Sequence, residues 1–188
     1  MSNRIRRKVD AAALAAAYVD DVRYPAMAWS MRTSRLLLQL RDECDADWNH
    51  ELLGEHEGGT SESVQDVRLR LAEQRIQARR SGIGLLTIRR DADGQPLGYC
   101  GLIVGRCSLE EPEIAYELLQ RFHSQGYATE AARAVMEAAF ATGRDRIWST
   151  VGTWNEASLR VLDKLGFERH HETTDASGRG LVYLVRNA

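Results

Sequence analysis

The sequence predicts a single mixed α/β domain, and two strand-to-helix units carry that prediction. In the first, Glu113–Leu119 has the pattern of a strand with two carboxylates, and a short polar loop joins it to a helix from Gly126 to Gly143. In the second, the strand Arg146–Val151 leads into a helix that Asn155 caps and Gly166 ends. Strands interspersed with helices in this way are typical of mixed α/β domains.

Further strand and helix patterns fill the rest of the chain. They are a strand within Thr33–Arg41, helices Asp42–Leu53 and Val64–Arg80, strands Gly84–Arg89 and Leu97–Arg106, and two last strands, Glu168–Thr173 and Leu181–Arg186. The segment Asp91–Gly94 is the turn of a predicted hairpin. The sequence contains no internal repeat and no interdomain linker.

Length and composition limit the classes of function. At 188 residues the chain is expected to form one domain with a sizeable core. Hydrophobic residues make up 44% of it and charged residues 28%, and no apolar run is long enough to cross a membrane. The formal net charge of -2 gives no electrostatic support for binding nucleic acid or an anionic membrane, so we expect neither partner.

The cysteines and the N-terminal residues indicate a cytoplasmic protein. Cys44, Cys100 and Cys107 are odd in number and match no metal-binding or redox spacing, so we expect reduced thiols. The first residues lack the apolar core of a secretory signal.

Residues 1–30 are expected to be an extension of a domain that spans residues 31–188, because Thr33–Arg41 resembles the opening strand of the family described below. A basic arm opens this extension and an alanine-rich stretch follows it, so the extension is either helical or mobile. Pro25 interrupts the pattern before Met31. Met31 is either the true start of the protein or an internal residue, and the sequence leaves both open.

The loop before Gly126 has the features of an anion site. Successive amides at a helix N-terminus point in one direction, and together with the helix dipole they attract a phosphate. Gly126 lets a phosphate approach the backbone, because it has no Cβ. An ordinary strand-to-helix turn explains the same residues equally well, and these residues alone do not decide between the two.

Two motifs resemble those of one enzyme superfamily. The motif Gln125-Gly-Tyr-Ala-Thr-Glu-Ala131 resembles the pyrophosphate loop of the GNAT acetyltransferases, in the branch of the RimJ and RimL ribosomal-protein acetyltransferases. The superfamily pattern falls on Arg121, Ser124 and Gly126, with serine in place of the first glycine. The motif Asn155–Phe167 also resembles the family, and the order of the predicted elements matches the GNAT fold.

This resemblance implies the GNAT acyl-CoA N-acyltransferase fold, an α/β (α+β) fold with a mixed, mostly antiparallel sheet of about seven strands flanked by helices. It also implies acetyl-CoA as co-substrate, with its pyrophosphate on the loop amides. The pantetheine arm would lie like an extra strand between the strands of the two units, and one amide would face the thioester oxygen. The implied cofactor-binding residues are Leu118, Leu119, Arg121, Ser124, Gln125, Gly126, Tyr127, Ala128, Thr129 and Asn155.

Three residues are candidates for the chemistry of acetyl transfer. Glu113 and Glu117 share one face of the predicted strand, about 13 Å apart, and the family's general base is often a glutamate on this strand. Glu113 is the better match, although a solvent-facing carboxylate is an equal alternative and a water chain would also deprotonate an amine. Ser158 resembles the family serine near the thioester sulfur, either as an acid or as a hydrogen-bonding group.

The stretch His170-His171-Glu172 is not predicted to bind a metal. Adjacent residues of a strand point to opposite faces, so the two histidines should not converge. Because the sequence contains no second cluster of ligands, we expect no metal.

The expected function is transfer of an acetyl group from acetyl-CoA to a primary amine, directly within a ternary complex. None of the cysteines lies in a recognised pattern with a histidine base, so no covalent enzyme intermediate is expected. The acceptor is a protein N-terminus or a small amine, and the protein is a monomer or a homodimer. The alternative is a non-catalytic acyl-CoA-binding module on the same fold.

Overall fold

One eight-stranded sheet organises the computed structural model, which describes residues 24–56 and 58–188. The strands are β1 Ser30–Arg32, β2 Leu36–Leu40, β3 Leu85–Arg90, β4 Pro96–Ile103, β5 Glu113–Leu118, β6 Arg146–Gly152, β7 Glu168–Thr174 and β8 Gly180–Asn187. Their order in the sheet is β1-β2-β3-β4-β5-β6-β8-β7. Strands β5 and β6 are parallel, and every other neighbouring pair is antiparallel. The predicted class and the mostly antiparallel sheet are confirmed.

The sheet has one strand more than the predicted seven. This strand, β1, pairs with β2 and places Ser30 opposite Gln39. It has three residues, which are too few for an alternation of polar and apolar side chains to be recognised in the sequence.

The described residues contain four α-helices, which begin and end close to the predicted positions. They are α1 Ala46–Gly54, α2 Val64–Ser81, α3 Tyr127–Phe140 and α4 Glu156–Lys164. Short 3-10 turns cover Glu43–Asp45 and Gln120–Phe122. Helix α2 begins at a capping box formed by Ser63 and Asp66, and it ends at Gly82, whose φ of 75° is readily adopted by glycine.

The main core lies between α3, α4 and one face of the sheet, called the α3 face below. Side chains alternate along β5, so Ile114, Tyr116 and Leu118 point to this face and contribute to the core. Helix α3 buries Ala131 and Val135 completely against it. Small residues at these positions let the helix lie close to the strands that carry the loop motif.

The opposite face of β5 carries Glu113, Ala115 and Glu117, and it is called the α1 face below. Trp48 and Leu52 of α1 form a second, smaller core on this side with neighbouring side chains of the sheet. The two candidate bases therefore share one face, as the alternation predicted, and this face lies on the side of the sheet away from the main core.

A buried carboxylate fixes the beginning of α1. Asp45 accepts hydrogen bonds from the Thr87 hydroxyl at 2.7 Å and from the Trp48 indole N–H at 2.8 Å, and it pairs with the Arg89 guanidinium at 2.5 Å. Because β3 supplies two of these partners, the helix is tied directly to the sheet.

Part of the predicted N-terminal extension packs on the domain. Met27 is 1% exposed in the main core, and its N–H donates to the Gly82 carbonyl at 2.9 Å. The Trp29 carbonyl accepts from the Leu40 N–H at 2.9 Å. Residues 1–23, which hold the rest of the extension, lie outside the described residues.

In the described part of the chain, no helix combines the length and the apolar character needed to cross a membrane.

Candidate functional site

Strands β5 and β6 diverge from a single point and leave a cleft between them. They share one registered pair, Glu113 with Trp148, and the Trp148 N–H donates to the Pro112 carbonyl at 2.9 Å. From there β5 continues beside β4 as far as Leu118, and β6 continues beside β8 as far as Gly152. Beyond the Glu113 pair, the described residues contain no further β5–β6 pairing. The carboxyl ends of the two strands thus border an opening in the sheet.

The backbone of β5 faces this cleft at Tyr116 and Leu118. The Leu119 N–H donates to the Leu97 carbonyl of β4 at 2.9 Å, and successive residues of a strand direct their N–H groups to opposite sides. Leu118 therefore directs its N–H towards β6, and its carbonyl accepts from His123 Nε2 at 2.8 Å. Of the two residues predicted to meet the pantetheine arm, Leu118 has an amide aimed at the cleft, while the Leu119 amide is already bound.

The loop after β5 presents consecutive backbone amides in front of α3. Glu130 has the first helical N–H with a carbonyl acceptor, the Gly126 oxygen at 3.1 Å. The backbone N–H groups of residues 124–129 donate to no atom of the described chain. This range includes Ala128 and Thr129 in the first helical turn, where N–H groups have no acceptor within the helix. The set is suited to bind an anion such as a pyrophosphate.

Two residues of this loop have left-handed backbone conformations. Gly126 has φ of 80°, and Ser124 has φ of 59°, the only positive φ outside glycine in the described residues. A serine in this region costs on the order of 1 kcal/mol. At an energetic cost, the serine therefore adopts the backbone conformation that a glycine would adopt freely.

An arginine far away in the sequence holds the loop in place. Arg35 donates through Nη1 to the Gln125 carbonyl at 3.1 Å, and its guanidinium lies over the Tyr127 ring at 4.6 Å. The same guanidinium pairs with Glu130 Oε2 at 2.6 Å. Glu130 also accepts from the Thr33 hydroxyl at 2.6 Å, so the segment before β2 is tied to the first turn of α3.

The Arg121 side chain is directed to α1 rather than to the loop amides. Both of its terminal nitrogens bond to the Glu51 carboxylate, and this hydrogen bonding raises the pKa of Arg121. The Gln125 amide donates to the Arg121 carbonyl at 3.2 Å, which closes the loop on itself. The side chains of Arg121 and Gln125 bond within the protein, so the backbone amides of the loop are the groups available to bind a phosphate.

The start of α4 borders the cleft on the side of β6. Asn155 Oδ1 accepts from the Ser158 N–H at 3.1 Å, which confirms that Asn155 caps the helix. The Ser158 carbonyl accepts from the Tyr116 hydroxyl at 3.2 Å, and burial raises the pKa of Tyr116 so that this hydroxyl keeps its proton. The predicted contacts of Asn155 with the cofactor and of Ser158 with the sulfur stay predictions.

Glu113 is a buried carboxylate at the closed end of the cleft. Its side chain accepts from the Arg106 N–H at 2.6 Å and packs against Gly105, where a Cβ would lie 2.7 Å from the carboxyl carbon. Burial and then the Glu113 charge raise the pKa of the neighbouring Cys107 thiol to about 12, so the thiol stays protonated and can donate to Glu113. Through these contacts, Glu113 stabilises the connection between β4 and β5.

Glu117 lies at the open end of the cleft and is accessible. Its side chain is 31% exposed, and Oε2 accepts from the Tyr99 hydroxyl at 3.1 Å. Its Oε1 lies 2.5 Å from Nε2 of His56, which belongs to the segment between α1 and α2. Of the two predicted glutamates, Glu117 is the one with a side chain that a substrate can reach.

A buried arginine lies behind this carboxylate. The Arg41 guanidinium lies 5.0 Å from the centre of the Tyr99 ring and donates to Gln74 Oε1 at 2.6 Å. Burial lowers the pKa of Arg41 to about 10, so it keeps its charge at neutral pH. The charges of Tyr99, Asp45 and Glu117 oppose this lowering of the Arg41 pKa.

The two adjacent histidines of β7 do not point to opposite faces. The register of β7 against β8 shifts between Arg169 and His171, and this irregularity brings His170 Nδ1 within 2.8 Å of His171 Nδ1. Trp148 and Tyr183 extend the row of rings on either side. The strand alternation used to separate the two histidines is therefore wrong at this position. No group of three or more metal-ligand side chains occurs among the described residues.

Sequence reasoning missed the residues that hold the site together across long chain separations. The contacts of Arg35 with Glu130 and of His56 with Glu117 join residues 95 and 61 positions apart. No local motif marks such pairs, because the neighbouring residues in the sequence do not distinguish these side chains from ordinary polar residues at the surface. The residues missed are Thr33, Arg35, Arg41, His56 and Tyr99.

Solved structures of acetyltransferases have the same fold. A GNAT-family acetyltransferase from Bacillus anthracis has a TM-score of 0.70 and 18% identity, over 84% of this chain and 98% of its own. Ribosomal-protein-S5-alanine acetyltransferase from Vibrio fischeri has a TM-score of 0.69 and 16% identity, over 84% and 96%. RimL, a ribosomal L7/L12 α-N-protein acetyltransferase solved in complex with coenzyme A, has a TM-score of 0.70 and 16% identity, over 82% and 95%.

Sequence comparison agrees with this likeness. YkkB, an uncharacterized protein of Bacillus subtilis (strain 168), is 30% identical over 95 residues, which are 50% of this chain and 54% of YkkB. The chain thus spans about half the length of this relative. The family model of the acetyltransferase (GNAT) domain matches residues 35–168, a range that includes β5, the loop, α3 and α4. The chain therefore belongs to the GNAT acetyltransferase family.

Proposed function

We propose that the protein transfers an acetyl group from acetyl-CoA to a primary amine within a ternary complex. The observation that carries this proposal is the cleft between β5 and β6, with the free amides of residues 124–129 next to its open end. A cofactor with a pyrophosphate and an extended thioester arm matches the shape and the hydrogen-bonding groups of this arrangement.

The cofactor would bind through backbone groups. The amides of residues 124–129 and the dipole of α3 would hold the pyrophosphate, and the pantetheine arm would bond to β5 at Tyr116 and Leu118. The Leu118 N–H would then donate to the thioester oxygen and stabilise the negative charge that develops on it. The fold neighbour RimL, which was solved with coenzyme A, supports an acyl-CoA as the ligand.

The amine would approach from the α1 face, where Glu117 is accessible. A carboxylate there would attract an ammonium group and hold it close to the thioester. Glu113 has the predicted position on the strand, but it is buried at the closed end, where one of its oxygens accepts from the Arg106 N–H. We therefore assign the acceptor side of the reaction to Glu117, and the role near the leaving sulfur to Ser158.

The acceptor class is a protein N-terminus or a small amine. The names of two fold neighbours describe transfer to ribosomal proteins, which favours the first. We propose the cytoplasm as the compartment, because the three cysteines are free thiols.

A panel of amines separates catalysis from simple binding. Acetyl-CoA would be offered with peptides that begin with Ala, Ser or Met, with spermidine and with an aminoglycoside, while the release of the CoA thiol is followed. We expect at least one amine to accelerate the release well above the rate without amine. Binding of acetyl-CoA without acceleration by any amine, in a screen extended to further amines, would favour the non-catalytic acyl-CoA-binding module.

A further inference from the structure

His56 and Glu117 form a hydrogen-bonded pair at the open end of the cleft. His56 comes from the segment after α1, and its Nε2 lies 2.5 Å from Glu117 Oε1. The second oxygen of Glu117 accepts from the Tyr99 hydroxyl. Burial and then the Glu117 charge raise the pKa of Tyr99, so this hydroxyl keeps its proton at neutral pH and acts as a donor. Both carboxylate oxygens are thus held by donors from the protein.

This contact determines which imidazole nitrogen carries the proton. An ionised carboxylate only accepts hydrogen bonds, so the nitrogen that faces it must carry a hydrogen. In neutral His56 that nitrogen is Nε2, and the lone pair is on Nδ1. The imidazole is 47% exposed, and Nδ1 bonds to no group of the described chain. In this pair, the atom that can accept a proton is therefore Nδ1 of His56.

We propose that His56 is the residue that takes the proton from the acceptor amine, and that Glu117 positions it. This inference rests on the proposed function. The acceptor ammonium gives one proton to His56 Nδ1, and the imidazolium that forms is stabilised by the Glu117 carboxylate. The free amine then attacks the thioester carbon, the C–N bond forms, and the C–S bond breaks with its electron pair going to sulfur. The second amine proton reaches the sulfur as CoA thiol, and His56 returns its proton to water.

The charged groups around the pair leave His56 as the proton acceptor. Glu55 of the same segment accepts from the Gln120 N–H at 2.9 Å, and Glu51 of α1 is bound by Arg121. Arg41 lies on the far side of Tyr99 and acts on Glu117 at longer range. The acidic side chains nearby are therefore engaged in their own bonds, whereas Nδ1 of His56 is not.

Substitution of each partner tests the division of roles. His56→Gln can still donate to Glu117 but has no basic nitrogen, so we expect kcat to fall about a hundredfold while acetyl-CoA affinity is unchanged. Free imidazole should restore part of the rate of His56→Ala, which a merely structural role would not allow. Glu117→Gln should also reduce kcat, but by less than His56→Gln does, because His56 remains as the proton acceptor. His170→Gln is the matched control, since β6 and β8 separate its strand from β5.

The outcomes distinguish this inference from the function on which it rests. If no amine accelerates CoA release by the unmodified protein, the transferase function fails and the inference with it. If the unmodified protein is active and His56→Gln keeps its rate, the inference alone is wrong. Proton–nitrogen NMR of the histidine rings provides a test without any acceptor. It should show the Nε2–H tautomer of His56, and an Nδ1–H tautomer would contradict the proposal.

Discussion

Replacement of Glu130 by alanine should loosen the loop that presents the amides to the cofactor. Glu130 accepts from the Thr33 and Ser34 hydroxyls at 2.6 and 3.1 Å, and from the Arg35 N–H and Nε at 3.0 and 2.7 Å. Glu130→Ala removes the common acceptor of these donors. Arg35 would then bind the Gln125 carbonyl without its anchor on α3.

The expected magnitude follows from the exposure of the partners. A net hydrogen bond contributes about 1 kcal/mol and one to a charged group about 1.5–3 kcal/mol, and such contributions are not additive within one cluster. Arg35 is 46% exposed, so water replaces part of its ion pair, whereas Glu130 is only 16% exposed. We therefore expect a loss of about 2–3 kcal/mol, which for a domain of this size lowers Tm by about 5–10 °C.

Calorimetric melting and acetyl-CoA titration of the same variant measure both consequences. Affinity should fall about tenfold, which corresponds to about 1.4 kcal/mol of lost loop order. Arg35→Ala and the double variant should show a coupling energy of about 1 kcal/mol with Glu130→Ala, because the two side chains touch. Glu172→Ala is the control, since its pair with Arg169 is exposed and should leave Tm unchanged.

The pH dependence of the Tm difference between the unmodified protein and Glu130→Ala tests whether the charge of Glu130 causes that difference. Burial acts to raise the pKa of Glu130, but the hydrogen bonds from Thr33, Arg35 and Ser34 outweigh it and bring the pKa below its ordinary value of 4.5. Such a group stabilises the folded state above its ordinary pKa and loses this contribution as the pH falls through the folded-state pKa. The difference in Tm should be complete at neutral pH and shrink in acid. Equal Tm values at neutral pH would refute the reasoning.

Three further substitutions probe other parts of the account. Gly126→Val should weaken acetyl-CoA binding at least about tenfold in isothermal titration while the fold is kept. Gly178→Val, at a similar φ of 83° in the β7–β8 turn, controls for backbone strain. Unchanged affinity of the Gly126→Val variant would show that the amides of the loop do not bind the pyrophosphate. Glu113→Gln should lower the free energy of unfolding by about 1–3 kcal/mol but reduce kcat less than Glu117→Gln does. The reverse order in turnover would assign the acceptor side of the reaction to Glu113. Met27→Ala should lower the free energy of unfolding by about 2–5 kcal/mol in a denaturant titration, and deletion of residues 1–30 should lower it at least as much. A truncated protein of unchanged stability would show that Met27 is dispensable.

The parts of the fold that the sequence predicted are those determined by local patterns. Strand β5, the loop and α3 follow each other directly, so alternation, a glycine and a helical repeat suffice to locate them. The cap at Asn155 likewise predicted where helix α4 begins. The face shared by Glu113 and Glu117 follows from the same alternation.

The rest depends on contacts between distant segments or on backbone irregularities. The alternation of β5 cannot tell which glutamate meets Arg106 and which meets His56, because both partners come from other elements. The irregular pairing of β7 near His170 reverses a side chain without any signal in the residues themselves. Arg35 and Glu130 are 95 positions apart, so their contact becomes visible only once β2 and α3 are placed.

Transfer of a labelled acetyl group tests the central claim most directly. The protein would be supplied with acetyl-CoA that carries deuterium in the acetyl methyl group, together with an amine that accelerates thiol release. Mass spectrometry of the amine and of the protein would then follow the label. The account predicts the label on the nitrogen of the amine, one acetyl group per CoA released, and none on the protein. Label recovered only as acetate, or bound covalently to the protein, would contradict direct transfer to an amine.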